Sequence, residues 1–258
     1  MGDDAPTVHA GGPGRTPVAG TLKTEAIVLR SIRFGEADRI LHIYTPQRGR
    51  LSAIAKGARR ARSRFGARLE PFMQIDAILH EGRGELLTVT GVDTVNARAT
   101  LRESAASLDA AARACDAVTR LFETSEPHPE VYALLANELT LLASGPAAAT
   151  TENALAFRLK LLLAAGIVPQ LGSCASCGER EHLSGFSAAA GGVVCGACES
   201  ASFPLGEEAY AFLVTALGQP LAQAPPASER ALRLAERAIR ETAEHHAQVR
   251  LRPLAHAA

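Results

Sequence analysis

Two C-x-x-C pairs constrain this chain more than any other feature: Cys174 and Cys177 in CASC, then Cys195 and Cys198 in CGAC, with 17 residues between them. Each pair forms a tight knuckle and the interval allows a hairpin, so four thiolates come within reach of one tetrahedral Zn²⁺. Two disulfides would suit a secreted chain, yet the opening MGDDAPTVHAGGPGRTPVAG has neither the basic start nor the apolar core of a signal peptide. A redox pair fits poorly, because two pairs at this spacing are unusual for thioredoxin-type chemistry. Catalytic zinc usually keeps three protein ligands and an open position, whereas four cysteines close the shell. The expectation is one structural Zn²⁺ in a ribbon over 172–202, held by Cys174, Cys177, Cys195 and Cys198. His182, between the pairs, is a substitute ligand on paper and reads as a loop residue while four thiolates are available. The fifth cysteine, Cys115, falls in an apolar helical pattern and reads as core.

The chain has 258 residues, 47% of them hydrophobic, enough for a sizeable core and more than one domain. Its charges sum to zero but are unevenly placed. Residues 21–70 hold 12 Lys or Arg against 4 Asp or Glu, and the rest of the chain offsets that surplus. The sharpest run is Arg48, Arg50, Lys56, Arg59, Arg60, Arg62, Arg64 and Arg68, with no acid among them. An isolated run of this kind is commonly a solvated loop. At this density it favours a polyanion, since guanidinium forks match phosphate geometry and stack on bases.

Residues 1–20 are Gly, Pro, Ala and Asp with almost nothing apolar, and are expected to form a disordered tail. From Leu22 the pattern is of short β-type runs: TEAIVLRSI, RILHIYT, RLSAIAK, PFMQIDAILH and ELLTVTGVDTV. Five strands packed so closely predict a closed or half-closed barrel, because an open sheet leaves edges to cover. An OB-type barrel over 21–97 fits that count, with the basic run on the third strand and the loop after it, where a nucleic-acid strand can track. Phe34, Tyr44 and Phe65 are candidates to stack on bases, in competition with the barrel's own need for core aromatics.

After Asn96 the period becomes helical. One stripe joins Leu108, Ala111, Ala112, Cys115, Val118, Leu121 and Phe122. Further helices follow in HPEVYALLANELTLLAS and in TENALAFRLKLLLAAG, the latter with Thr151 as its candidate N-cap. Beyond the ribbon, FPLGEEAYAFLVTAL and SERALRLAERAIRETAEHHAQVRL complete the set. The predicted fold is α+β and multidomain: the barrel, then a helical bundle over 98–258 with the zinc ribbon inserted in it.

No Walker loop occurs, so Walker-type nucleotide hydrolysis is unsupported, and no G-x-S-x-G elbow, H-E-x-x-H helix or G-x-G-x-x-G turn is found either. Asp76 and Glu85 are the nearest approach to a nuclease's carboxylates, and acids on separate strands are ordinary. His245 and His246 are adjacent, hence about 100° apart on a helix, and read as an exposed pair. No apolar run approaches the roughly 20 residues that span a bilayer, so a cytoplasmic protein is expected. A zinc-ribbon OB-fold transcription or RNA-binding factor, a DNA-processing enzyme and a purely structural adaptor remain open on the residues alone.

The stretch TEAIVLRSIRFGEADRILHIYTPQRGRLSAIAKGARRARSRFGARLEPF resembles the opening of the bacterial recombination mediator family RecO. The match includes the E-A-I-V-L-R strand, G-E-A-D-R, T-P-x-x-G-R-L, A-K-G-A-R-R and L-E-P-F; FSAAAGGVVCGAC is similar to that family's ribbon. The resemblance implies an N-terminal OB domain, a helical domain and a zinc ribbon. It also implies binding of single- and double-stranded DNA, annealing of complementary strands, and no covalent chemistry. Its implied partners are RecR, the acidic, apolar C-terminal tail of single-strand-binding protein (SSB) and, indirectly, RecA, in a cytoplasmic, nucleoid-associated setting.

Overall fold

The computed structural model describes residues 20–82, 86–198 and 202–254. The expected tail, apart from Gly20, and Glu85 lie outside them. All five expected strands form: β1 (Thr21–Phe34), β2 (Asp38–Thr45), β3 (Gly49–Ala55), β4 (Gln74–His80) and β5 (Leu87–Asn96). They close a barrel in the order β1-β2-β3-β5-β4, with β3 and β5 its parallel pair. Closure leaves no sheet edge to cover.

Alternation fills the barrel. Ala26, Val28, Leu41, Ile43, Leu51, Ala53, Ile75, Ala77 and Leu79 point inward as one core. Phe65 and Leu69, at the end of the basic loop, drop into the same core. Phe65 is 2% exposed and Tyr44 0%, so two of the three candidate stacking aromatics are spent on packing, and only Phe34, 50% exposed, faces solvent.

Five helices follow: α1 (Ala105–Leu121), α2 (Pro129–Ala143), α3 (Thr151–Ala164), α4 (Glu207–Gly218) and α5 (Glu229–Ala247). Three have side-chain N-caps: Ser104 Oγ accepts from the Ser107 N–H, Thr150 Oγ1 from Asn153 and Ser228 Oγ from Ala231. The cap of α3 is therefore Thr150, and Thr151 is its first helical residue. In α1 the expected stripe is rotated: Ala114 and Ala117 are buried and Ala112 is exposed, because the helix packs on two sides. Between α3 and α4 a small sheet, β6 (Leu183–Ser187), β7 (Gly192–Cys195) and β8 (Phe203–Pro204), runs in the order β7-β6-β8.

α3 is the axis of the helical part. Leu155, Ala156, Phe157, Leu159, Leu161 and Leu162 are all buried, a pattern apolar all round that belongs to a central helix. Ile27, Leu29, Tyr44 and Phe72 from the barrel join this helical core, so the two parts share one apolar interior. No helix among the described residues is long and apolar enough to cross a membrane.

Two carboxylates lie inside this interior, Glu138 and Glu236, and Glu236 faces the buried Arg158. Glu138 on α2 is 2% exposed, and Asn153 Nδ2 donates to both its oxygens at 2.9 and 3.1 Å. Burial outweighs that single amide and pushes the carboxyl up to about 8. A group with a raised folded value binds more protons folded than unfolded. Its stabilising effect is complete below the unfolded value of 4.5 and is lost as pH rises through about 8. The urea midpoint is accordingly expected to fall between pH 5 and 8.5. Glu138→Gln is expected to remove that component and to be more stable at the upper end by about 2 kcal/mol. Parallel pH curves for the two proteins would refute the buried-proton account.

Candidate metal centre and nucleic-acid interface

The four cysteines come together as their spacing predicts. Cys174, Cys177, Cys195 and Cys198 have their sulfurs within 4.8 Å of one another, and Cys177 Sγ lies 3.7 Å from Cys195 Sγ. Zn–S bonds of about 2.3 Å in a tetrahedron put sulfurs about 3.8 Å apart, whereas a disulfide needs about 2.05 Å. The first knuckle turns at Gly178, φ 82°, whose N–H donates to Cys174 O at 2.9 Å. Ala175 N–H donates to Val193 O at 2.8 Å, sewing that knuckle to β7, which carries Cys195. Cys198 follows on a short 3₁₀ turn, Gly196–Cys198.

The thiols need a cation to ionise together. Backbone N–H groups, that of Cys195 foremost, hold Cys174 down at about 6. Hydrogen bonding to Cys177 and Cys195 pushes Cys198 up to about 12. One thiolate forms readily and the next resists, and a divalent cation among the four sulfurs would favour the ionised form of each. Among the described residues this is the one cluster of three or more possible metal ligands. His182 stands outside it, exposed in a loop at φ 55°. Cys115 lies buried between α1 and its neighbours as expected, its thiol raised to about 12 by burial.

The eight basic residues divide into two groups at opposite ends of β3. At its start Arg48 pairs with Glu81, and Arg50 Nη1 donates to Thr119 O of α1 at 3.3 Å. Lys56, Arg59, Arg60, Arg62, Arg64 and Arg68, all exposed, follow its other end. Six residue-to-residue steps lead from Arg50 to Lys56, roughly 20 Å at about 3.3 Å each.

Arg59 is a brace as well as a cation. Its Nη1 donates to Gly35 O and Glu36 O at 3.4 and 3.2 Å, and its N–H to Ala37 O at 2.8 Å, while Asp38 Oδ1 accepts from Gly57 N–H at 2.8 Å. The loop is thereby tied to the β1–β2 turn, beside exposed Arg33 and Phe34. Arg64 lies over the Phe65 ring, 4.9 Å from its centroid, and Arg68 Nη1 donates to Arg64 O at 3.2 Å.

Between the two groups the outer face of β1, β2 and β3 carries residues that the charge run did not reveal. Arg30 stands opposite His42 and His42 opposite Ser52; the next row toward the loop is Ile32, Ile40 and Ile54. A single face thus runs from Arg48 and Arg50, across a polar row and an apolar row, to Phe34 and the loop arginines. Strand alternation of β2 and β3 identifies His42 and Ser52 once the inward set Leu41, Ile43, Leu51 and Ala53 is known. Arg30 is hidden by a bulge in β1.

Comparison with known proteins assigns both halves of the chain. The family model described as Recombination protein O N terminal matches residues 20–98, and that described as Recombination protein O C terminal matches residues 102–255. The chain is 40% identical over 230 residues to the DNA repair protein RecO of Rubrobacter xylanophilus, covering 87% of this chain and 90% of that protein. It is 35% identical over 244 residues to the RecO of Anaeromyxobacter sp. (strain K), covering 89% and 93% respectively. Against the Myxococcus xanthus protein of the same name it is 38% identical over 178 residues.

The ribbon depends on one close approach. Gln170 bridges Gly192 in parallel, with Gln170 N–H donating to Gly191 O and Val193 N–H to Gln170 O, both at 2.9 Å. A Cβ on Gly192 would fall 2.2 Å from Gln170 O. Gly192→Ala is therefore expected to part the first knuckle from β7, to lower the melting temperature by several degrees, and to expose the cysteines to a thiol reagent. Wild-type melting and thiol reactivity would show that the bridge does not hold the cluster.

Proposed function

Because the chain belongs to the RecO family of DNA repair and recombination proteins, we propose that it is a recombination mediator. It binds single- and double-stranded DNA, anneals complementary strands coated with SSB and, with RecR, helps load RecA. The observation that carries this reading is the basic face of the barrel. Arg48, Arg50, Lys56, Arg59, Arg60, Arg62, Arg64 and Arg68 flank a track along which phosphates of two strands can be neutralised at once, so that complementary bases meet without fuel. With Tyr44 and Phe65 buried, Phe34 is left as the stacking aromatic, which favours a grip on the backbone and little sequence preference.

The cysteine cluster is proposed to hold one structural Zn²⁺, which supplies folding energy and leaves no coordination position for a substrate. No covalent step is proposed for the chain. The acidic, apolar tail of SSB suits the groove of about 350 Å³ between α2, α3 and the segment after α4, where Lys160 stands among Leu134, Leu141 and Leu221. Burial lowers the Lys160 ammonium from its ordinary value, and its Nζ donates to Leu217 O at 2.9 Å.

The decisive assay is nucleotide-free annealing of two complementary oligonucleotides coated with SSB. Acceleration that fades with salt is expected. Arg60, Arg62 and Arg64 changed together to Ala, with the bracing Arg59 kept, should melt as the wild type does and lose about tenfold or more in DNA affinity. Its log–log salt slope should be shallower by about 2 to 3. Unchanged affinity would remove the loop from the interface. A preference for RNA or for a defined sequence would favour the zinc-ribbon transcription or RNA-binding factor instead.

The ribbon separates from this test. Metal analysis is expected to find one zinc per chain, and Cys195→Ser to lose it with a fall in melting temperature of several degrees. DNA affinity, measured where the variant is still folded, should change little. A large loss of affinity there would place the ribbon on the DNA.

A further inference from the structure

One irregularity in β1 decides what the outer face of the barrel presents. Ala26 and Val28 point into the barrel core, and Ile27 points toward the helices. Strict alternation from Val28 would turn Arg30, Ile32 and Phe34 inward as well. Instead the pairing with β2 shifts between Val28 and Arg30. Leu29 joins the helical core, and Arg30 arrives opposite His42, which alternates with the inward Leu41 and Ile43. The bulge thus delivers an arginine to the outer face in place of the barrel core.

β3 completes a row. Arg30, His42 and Ser52 are directly paired across three neighbouring strands, each about 4.8 Å from the next. His42 Nδ1 and Ser52 Oγ lie 3.0 Å apart, which leaves Nε2 as the ring nitrogen for a ligand. Ser52 also lines a hollow of about 350 Å³ with Arg48, Leu86 and Ser125. The charged groups acting on His42 are cations on both flanking strands, Arg30 on β1 and Arg50 on β3. The α1–α2 connection crosses the start of β3, where Arg50 N–H donates to Thr124 O at 3.3 Å, and it carries the exposed Glu123 and Glu126.

We propose that Arg30, His42 and Ser52 form a phosphodiester-binding subsite on the outer face of the barrel, and that His42 takes up a proton from solvent when DNA binds there. The inference rests on the DNA-binding reading above and adds its regulation by pH. Without DNA, burial first, then Arg50 and Arg30, hold His42 below its ordinary value, so the imidazole is neutral at neutral pH. A phosphate between Arg30 and His42 offsets both guanidinium charges and accepts a hydrogen bond from the imidazolium. The group's value is then higher in the complex than in the unliganded protein. Affinity is flat above both values and rises as pH falls between them.

The test is the affinity of the full chain for oligothymidylate, whose bases do not titrate in this range, at constant ionic strength. Wild type is expected to tighten about three- to tenfold from about pH 7.5 to about pH 5.5. Calorimetry in two buffers of different ionisation enthalpy should read net proton uptake of up to about one per complex. His42→Gln, which can still reach Ser52, should bind with a flat pH profile and no uptake. The triple variant of Arg60, Arg62 and Arg64 should keep the wild-type slope at lower affinity. Zero uptake by wild type, or the same slope in His42→Gln, overturns the subsite while leaving the DNA-binding reading intact. Absence of salt-sensitive binding at every pH overturns that reading itself.

Discussion

A buried guanidinium joins the two halves of this molecule. Arg98, 5% exposed, stands directly beyond the last barrel strand in a left-handed conformation, φ 43°, fixed by a bond from its own N–H to Asn96 Oδ1 at 3.0 Å. From there Nη1 donates to Phe72 O at 3.0 Å, and Nη2 to Gln74 Oε1 at 2.7 Å and Ala136 O at 3.3 Å. Gln74 Nε2 passes the network on to Glu25 and to Tyr132 Oη. The start of β4, the N-terminal half of β1 and helix α2 are thus satisfied by one side chain and its immediate partner. Removing such a group would take their donor from Phe72 O and Gln74 Oε1, a cost of about 1–3 kcal/mol each. The apolar contacts of Ile27, Leu29, Tyr44 and Phe72 are non-directional, and the Arg98 fork gives them a single orientation.

That orientation has a functional consequence. The face of β1–β3 that carries the basic track also leans, through Tyr44 and Arg50, against α1 and the α1–α2 connection. Tyr44 contacts Phe122 edge to face, and Phe122 contacts His128 in the same way. The face beyond Tyr44 is open to a ligand, and Arg48 and Arg50, both half-buried, stand at its covered edge. The aromatics that a sequence offers for stacking are the same ones the two cores demand, and in a chain with 4% aromatic residues the cores take most of them. What remains outside is charge, one phenylalanine and a ledge of isoleucines.

This competition explains what could and could not be read in advance. The five strands were legible because each has its own apolar run and a turn on either side. The cysteine cluster was legible because knuckle spacing is a local geometric fact. Burial on two sides was not: Ala112 and Ala114 differ by half a helical turn, and which of them faces a neighbour depends on where the barrel sits. Thr150 and Thr151 are equally good caps until the backbone turn selects one. The bulge in β1 leaves no mark in TEAIVLRSI, where Arg30 reads as one more member of an alternation. Arg98, an ordinary arginine in NARAT by sequence, is the least legible of all, since its partners come from residues 72, 74 and 136.

The ribbon's contacts show which half of the chain it serves. His246 Nε2 lies 3.0 Å from Ala188 O in the β6–β7 turn, and Arg237 stacks over Phe203 at 4.0 Å from the ring centroid. Tyr210 Oη donates to Leu171 O at 2.8 Å, where the chain enters the ribbon. Two of these contacts come from α5 and one from α4; Phe186, Val193 and Phe203 add apolar packing against the same helices. His245 and His246, both exposed as expected, are nevertheless unequal, since His246 reaches the β6–β7 turn. Four cysteines sharing one metal would brace the same hairpin from within. Those helices in turn enclose α3, and α3 carries Arg158, whose Nη1 lies 3.6 Å from Glu236 Oε1 on α5. Order in the ribbon thus reaches the barrel through the helical core, and a metal held by the four cysteines would bear on the barrel's outer face through stability.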